Sequence, residues 1–183
     1  HGATGEAAAI VAGDDTIDDA ADALTQHAMR VIATQGPVAG DLRLVSSFIQ
    51  AADDLERIGD YAEGIAKITL RFGGPVPGGL PAPITTMATA ARSMLARALD
   101  ALGSRDPAIN LQLKVDDDVV DDAYDQLLAE TTAAMERDPS MVTPGTYLLW
   151  VGHNLERIGD RATNIGEYVE YIVRGEKSER PRS

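Results

Sequence analysis

The hexapeptide LERIGD occurs twice, at residues 55–60 and 155–160 of a 183-residue chain. Sliding the sequence by 100 superimposes the two copies. Sliding it by 103 superimposes a second acidic stretch, GDDTIDDAADAL at 13–24, on DDDVVDDAYDQL at 116–127. Asp14 and Asp18 then fall on Asp117 and Asp121. The interval from Asp18 to Glu56 is 38 residues and that from Asp121 to Glu156 is 35. A difference of three fits in a loop at little entropic cost. A chain duplicated in this way must fold as two similar halves, each too small to be elaborate.

Each half reads as helices. In the first, Ile10, Ile17, Leu24, Ala28 and Val31 recur at near-heptad spacing until Gly36-Pro37 interrupts them. Phe48, Ala52, Leu55, Gly59, Ala62 and Ala66 mark a second helix over about 39–71. The Gly/Pro-rich stretch 73–83 separates the halves. The second half opens with an amphipathic stripe from Ile84 through Met87, Ala88, Ala91, Met94, Leu95 and Ala98 to Leu102. A helix over about 107–136 follows and ends at Asp138-Pro139. Thr143 as cap and Pro144 at the first helical position are expected to start the last helix. Aromatic residues make up only 4% of the chain, which suits closely packed helices better than sheets.

The expected fold is all-α, two tandem pseudo-repeated three-helix bundles in which the first helix of the first bundle is missing. The repeat partner of 84–102 would precede His1, and the chain starts with His rather than Met. Two helices alone would leave an apolar groove where the third should pack. The boundaries read as a first repeat over 1–72, a linker over 73–83, a second repeat over 84–175 and a polar tail over 176–183.

Twenty-nine acidic against sixteen basic residues give a net charge of −13. Nucleic acid is thereby excluded as a direct partner, because phosphate contacts need clustered Lys and Arg. There is no cysteine, so disulfides, thiolate chemistry and Cys-ligated zinc are ruled out. The longest uncharged run, 72–91, is broken by Pro75, Pro77, Pro81 and Pro83 and reads as linker, not as a membrane span. A soluble protein is expected. No nucleophile–base pair and no Gly-rich phosphate loop is visible, which speaks against an enzyme.

The repeated motif holds like charges four residues apart, Glu56/Asp60 and Glu156/Asp160. On a helix such pairs share a face and repel by a few tenths of a kcal/mol. Residues 13–22 add five Asp without a base, and 115–125 add six. Asp is a poor interior helix former, and a merely solvated face would use Glu. Packed side by side, Asp14, Asp18, Glu56 and Asp60 would form one carboxylate cluster, and Asp117, Asp121, Glu156 and Asp160 a second. Such clusters need protons or a cation among them. All-oxygen ligands favour Mg²⁺, Ca²⁺, Mn²⁺ or Fe over structural zinc. The competing reading is a solvated acidic face neutralised by Arg43, Arg57 and Arg157; the doubled motif weighs against it. Asp19 falls off the ligand face.

Other residues carry weaker signals. His153 precedes Glu156 by three, the reverse of the ferritin-like Glu-x-x-His order, and is expected to be a hydrogen-bonded surface histidine rather than an accessory ligand. Asn164 is a candidate hydrogen-bond donor to the carboxylates, although its repeat partner is Gly64. Arg57 and Arg157 are expected to offer a fork to a carboxylate on an adjacent helix. Trp150, the sole tryptophan, is expected in the core or at an interface.

DLERIGDYAEGIAK and NLERIGDRATNIGE, each after an acidic DxxxD helix, and GPVAGDLR at 36–43 resemble the PhoU family of bacterial phosphate-signalling regulators. The resemblance runs from about residue 5 to 173. It implies two three-helix bundles, and a cytoplasmic, non-enzymatic negative regulator of the phosphate-starvation response. Such a protein is an adaptor between the ATPase of a phosphate ABC transporter and a membrane sensor histidine kinase. It touches the membrane only through those partners, and forms a homodimer. Several members bind multinuclear iron or zinc clusters through E(D)xxxD motifs, which here are Glu56, Asp60, Glu156 and Asp160, with Asp14, Asp18, Asp117 and Asp121 from the partner helices. Gly64 opposite Asn164 puts strict equivalence of the two sites in question. The alternative of another class is a ferritin-like carboxylate-bridged metal enzyme or metal store.

Overall fold

A computed structural model describes residues 2–76 and 78–176. It contains five α-helices: α1 (Gly2–Gln35), α2 (Gly40–Phe72), α3 (Ala82–Ser104), α4 (Ile109–Arg137) and α5 (Val142–Arg174). Among the described residues there is no strand. At 1.5 Å per residue, α2 and α5 are each about 50 Å long. The tail from 177 onward lies outside the described residues.

The helices α3, α4 and α5 pack on one another as a three-helix bundle, α2 packs on α5, and α1 packs on α2 alone. The largest fully buried apolar side chains, Met87, Met94, Leu113, Leu127, Ile165, Val120 and Val169, all belong to the second bundle. In the first repeat the deeply buried positions are mostly alanines, among them Ala7, Ala28, Ala51, Ala52 and Ala66.

Repeat partners show what the third helix does. Leu113, Val120 and Leu127 are each 0% exposed, whereas Ile10, Ile17 and Leu24, their partners by the 103-residue shift, are 48%, 42% and 38% exposed. In the second bundle α3 supplies the covering layer through Met87, Met94 and Ala98. No described helix does so for α1, so the heptad stripe expected to be core is only half-covered, along an apolar groove lined by Leu24, Ala28, Val31, Val45 and Phe48.

The last helix starts differently from the expected cap. A 3₁₀ turn, Pro139–Met141, follows α4, and Asp138 accepts from the Ser140 backbone N–H. Thr143 lies inside α5, which begins at Val142 and whose N-cap position, Met141, makes no side-chain cap hydrogen bond. Asp138-Pro139 therefore both ends α4 and turns the chain. Asp competes well for the N–H groups of a turn, and a backbone already held by that turn has no need of Thr143.

An internal twofold relates α2 and α5. Asp54, 2% exposed, accepts from Arg161 Nη1 at 3.0 Å, Asn164 Nδ2 at 3.4 Å and Tyr168 Oη at 2.7 Å. The 100-residue shift maps the pair Asp54/Asn164 onto Asn154/Gly64. That contact is present too, since a Cβ on Gly64 would stand 2.9 Å from Asn154 Nδ2. Gly64 is thus the clearance that Asn154 requires, and the mismatch with Asn164 belongs to this seam. Asn164 Nδ2 donates across the seam to Asp54.

Candidate metal centres

Both LERIGD copies lie in mid-helix, on α2 and α5, with the Glu and Asp one turn apart. The acidic runs lie on α1 and α4, the antiparallel neighbours of those helices. The face towards the neighbour is set by the glycine of each motif. A Cβ on Gly59 would lie 3.4 Å from Asp14 Oδ1, and one on Gly159 would lie 3.3 Å from Asp117 Oδ1. The same contact in both repeats brings Asp14 to the first motif and Asp117 to the second.

Burial and neighbouring charge both act on these carboxyls. Partial burial pushes the Asp117 carboxyl up to about 7, and the charges of Asp121, Asp160, Asp118 and Glu156 add to this. Asp121 is raised by burial and by Glu156 and Asp160. In the first repeat, Asp14 is raised by burial, then by Glu63, Asp18 and Asp60. Glu56 is raised by burial, then by Asp18, Asp53 and Asp60. The like charges acting on these four carboxyls come from the expected residues and also from Glu63, Asp53, Asp22, Asp118 and Asp125. Asp19 is exposed. Asp116 leaves the second group and pairs with Arg97 of α3.

The sequence reading missed several members. Glu63 adds a carboxylate to the first cluster and pairs with Lys67; it lies one turn beyond Asp60 on the same face, a legible signal. In the second repeat those positions are Thr163 and Glu167. They line a cavity of about 480 Å³ together with Lys114, Asp117, Asp160 and Arg161.

Two expectations about neighbouring residues are corrected. Arg57 Nε meets Asp53 at 3.2 Å and Arg157 Nη1 meets Asp160 at 2.7 Å, each on its own helix. Spacings of three and four residues put those partners within easier reach than the next helix. His153 is an exposed histidine with Nδ1 3.3 Å from Glu156, as expected. Trp150 is 63% exposed, which of the two expected places, core or interface, excludes the core.

As placed, no three His, Asp or Glu side chains among the described residues converge on one ion position. The cause in the second cluster is visible: Arg157 holds Asp160 and His153 holds Glu156. The residues nevertheless fit a hard cation. Asp18 Oδ1 is enclosed without a hydrogen-bond donor, an expensive state for an acceptor-only group. Four carboxyls are raised first by burial and then by their like-charged neighbours, and a bound cation would relieve both.

A pH effect follows for metal-free protein. The folded pKa of Asp117, about 7, lies above its ordinary value of 3.8. Between the two, the folded chain holds a proton that the unfolded chain has lost. Stability is therefore expected to rise as pH falls through about 7 towards 4, by on the order of 1 kcal/mol once screening of a partly exposed cluster is allowed for. Urea melts with chelator at about pH 5 and pH 8 check this; Asp117→Asn should flatten the slope, with Asp14, Glu56 and Asp121 keeping a remnant. A wild type more stable at the higher pH would contradict it.

Five helices in two pseudo-repeats, each with acidic side chains between antiparallel helices, define a class of duplicated, acid-rich helical proteins. Residues 1–69 and 84–169 each match the family model described as the PhoU domain. The chain belongs to the PhoU family. It is 35% identical over 176 residues to a "Phosphate-specific transport system accessory protein PhoU homolog" of Rhizobium meliloti, covering 94% of this chain and 74% of that one. A homolog of the same name from Synechocystis is 41% identical over 155 residues, covering 84% and 68%. The crystal structure of PhoU from Pseudomonas aeruginosa superimposes with a TM-score of 0.90 at 32% identity, covering 94% of this chain and 83% of that one. A phosphate transport system regulatory protein PhoU from Streptococcus pneumoniae gives 0.87 at 29%, covering 96% and 83%. Among the described residues no helix is long and apolar enough to cross a membrane.

Proposed function

We propose that this chain is a metal-binding, non-enzymatic regulator of phosphate uptake and phosphate-starvation signalling. It acts in the cytoplasm as a homodimeric adaptor between the ATPase of a phosphate ABC transporter and a membrane sensor histidine kinase. The names of its relatives support the link to phosphate transport. The two matching carboxylate clusters support the metal, and the enclosed, donor-less Asp18 Oδ1 carries that part most directly.

Asp14, Asp18, Glu56 and Asp60 would hold one set of ions, and Asp117, Asp121, Glu156 and Asp160 the other. When bound, a divalent or trivalent ion (Fe, Zn, Mg or Mn, singly or as a multinuclear cluster) supplies positive charge that neutralises the cluster. The residues themselves do the rest. Asp14 and Asp117 link α1 to α2 and α4 to α5, and Arg157 and His153 compete for Asp160 and Glu156 in the second cluster. The ferritin-like alternative finds no support, since the one histidine near a cluster is exposed and in the reverse order.

Two measurements test the proposal. Protein purified without chelator is expected to carry transition metal by elemental analysis. Immobilised protein is expected to retain the transporter ATPase and the kinase from a lysate of its own host. Metal-free protein whose melt is unchanged by Mg²⁺, Mn²⁺, Fe²⁺ and Zn²⁺ would leave only a solvated acidic face, and failure to retain either partner would remove the adaptor role.

A further inference from the structure

Helix α5 carries a glycine at every seventh residue, Gly145, Gly152, Gly159 and Gly166, and all four face α4. A Cβ on Gly145 would stand 2.4 Å from Met135 Cε, one on Gly152 2.5 Å from Leu127 Cδ2, and one on Gly166 2.6 Å from Leu113 Cδ1. These three rungs seat apolar side chains of α4. At Gly159 the nearest atom is instead Asp117 Oδ1 at 3.3 Å, with Met94 Cε and Val120 Cγ1 each at 3.8 Å.

The first repeat supplies the control. The 100-residue shift places Val45, Ala52, Gly59 and Ala66 at the same four rungs of α2. Ala52 and Ala66 are each 3% exposed, so the helices of this repeat meet closely with methyl groups at those rungs. Glycine survives only at the rung against which Asp14 Oδ1 lies, at 3.4 Å, beside Ile17 Cδ1 at 3.3 Å. Close packing of helices does not by itself require it, and a mid-helix glycine is unfavourable relative to alanine.

We infer that Gly59 and Gly159 are positioning residues, which seat the Asp14 and Asp117 carboxylates of the neighbouring helices in the two clusters. The bare Cα leaves the room that one carboxylate oxygen occupies. A methyl group at Gly159 pushes the carboxylate aside by a few tenths of an ångström and covers one face of the oxygen, whereas one at Gly59 presses first on Ile17 Cδ1 at 3.3 Å and covers the Asp14 oxygen at contact distance, 3.4 Å. Ligand geometry tolerates little such displacement, and changes to the groups that orient ligands commonly cost ten- to a hundredfold in affinity. The inference rests on the proposed metal reading for its consequence, and on the geometry of the two rungs for the seating itself.

The test uses the full chain with Mn²⁺ as probe, followed by calorimetry and by the ¹³C resonances of the Asp carboxyl carbons. Gly159→Ala is expected to weaken one class of Mn²⁺ site by about tenfold or more while the other is kept. Its melting temperature in chelator should change little. Gly152→Ala, at an apolar rung, is expected to lower the melting temperature and leave Mn²⁺ affinity unchanged. Gly59→Ala is the mirror variant, so the inference stays testable if one variant fails to fold. In metal-free protein Gly159→Ala should shift the Asp117 resonance and not that of Asp14, and Gly59→Ala the reverse. Wild-type Mn²⁺ affinity in both motif variants, or an equal loss in Gly152→Ala, would overturn the inference. If the wild type takes up no Mn²⁺, the metal reading fails and the metal-free resonances decide the seating alone: unshifted carboxyls overturn it.

Discussion

Asp54→Ala is expected to cost about 3–5 kcal/mol, the loss that follows when one partner of a buried charge pair is removed. The carboxylate is 2% exposed and sits between three donors of α5. Its removal leaves the Arg161 guanidinium, whose Nε already lacks a partner, with Tyr61 but no carboxylate, and frees the Tyr168 hydroxyl, whose pKa is raised by burial and then by its bond to Asp54. Against a total stability of roughly 5–15 kcal/mol, the melting temperature should fall by roughly 10 °C. Asp54→Asn keeps the shape and some of the hydrogen bonds and should lose less. Asn154→Ala, across the internal twofold, removes only a neutral side chain and should cost about 1 kcal/mol. Thermal melts in chelator separate these variants from any metal effect. An Asp54→Ala protein within about 1 kcal/mol of wild type would mean that the apolar contacts of α2 and α5 hold the two repeats together without this network.

Much of this arrangement is legible in the residues because the duplication doubles every signal. One acidic pair on a helix says little, whereas two copies with matching DxxxD runs fix the helices and their order. The seam between α2 and α5 was less legible. Asp54 reads as one more acid in an acidic chain, and its burial follows only once α5 crosses it with Arg161 and Tyr168. Gly64 and Asn164 looked like a defect in the repeat for the same reason, because the partner of each lies on the other helix. The start of α5 was misread at Thr143 because a 3₁₀ turn leaves no period long enough to see. Glu63 was recoverable from spacing alone, one turn beyond Asp60.

Saturating metal is expected to stabilise the wild type by about 2.7 kcal/mol at a hundredfold excess over the dissociation constant, and Asp160→Asn should forfeit the share of the second cluster. The substitution keeps the shape and removes one of the negative charges that add to burial in pushing Asp117 up to about 7. The first cluster lies between α1 and α2 and should keep its metal. Asp19→Asn, at an exposed position of α1, is the control for charge alone and should change neither metal content nor the metal-dependent rise in melting temperature. Without metal the balance is different. Asp160→Asn relieves repulsion with Asp117 and Asp121 but also gives up the 2.7 Å pair with Arg157. Those effects oppose each other and amount to a few tenths of a kcal/mol each, so the chelated variant should melt close to wild type. A solvated acidic face gives a different pattern, with no metal dependence in any of the three proteins. Metal stoichiometry and melting temperature with and without chelator distinguish the two. Equal metal content in wild type, Asp160→Asn and Asp19→Asn would remove Asp160, and with it the second LERIGD, from the metal site.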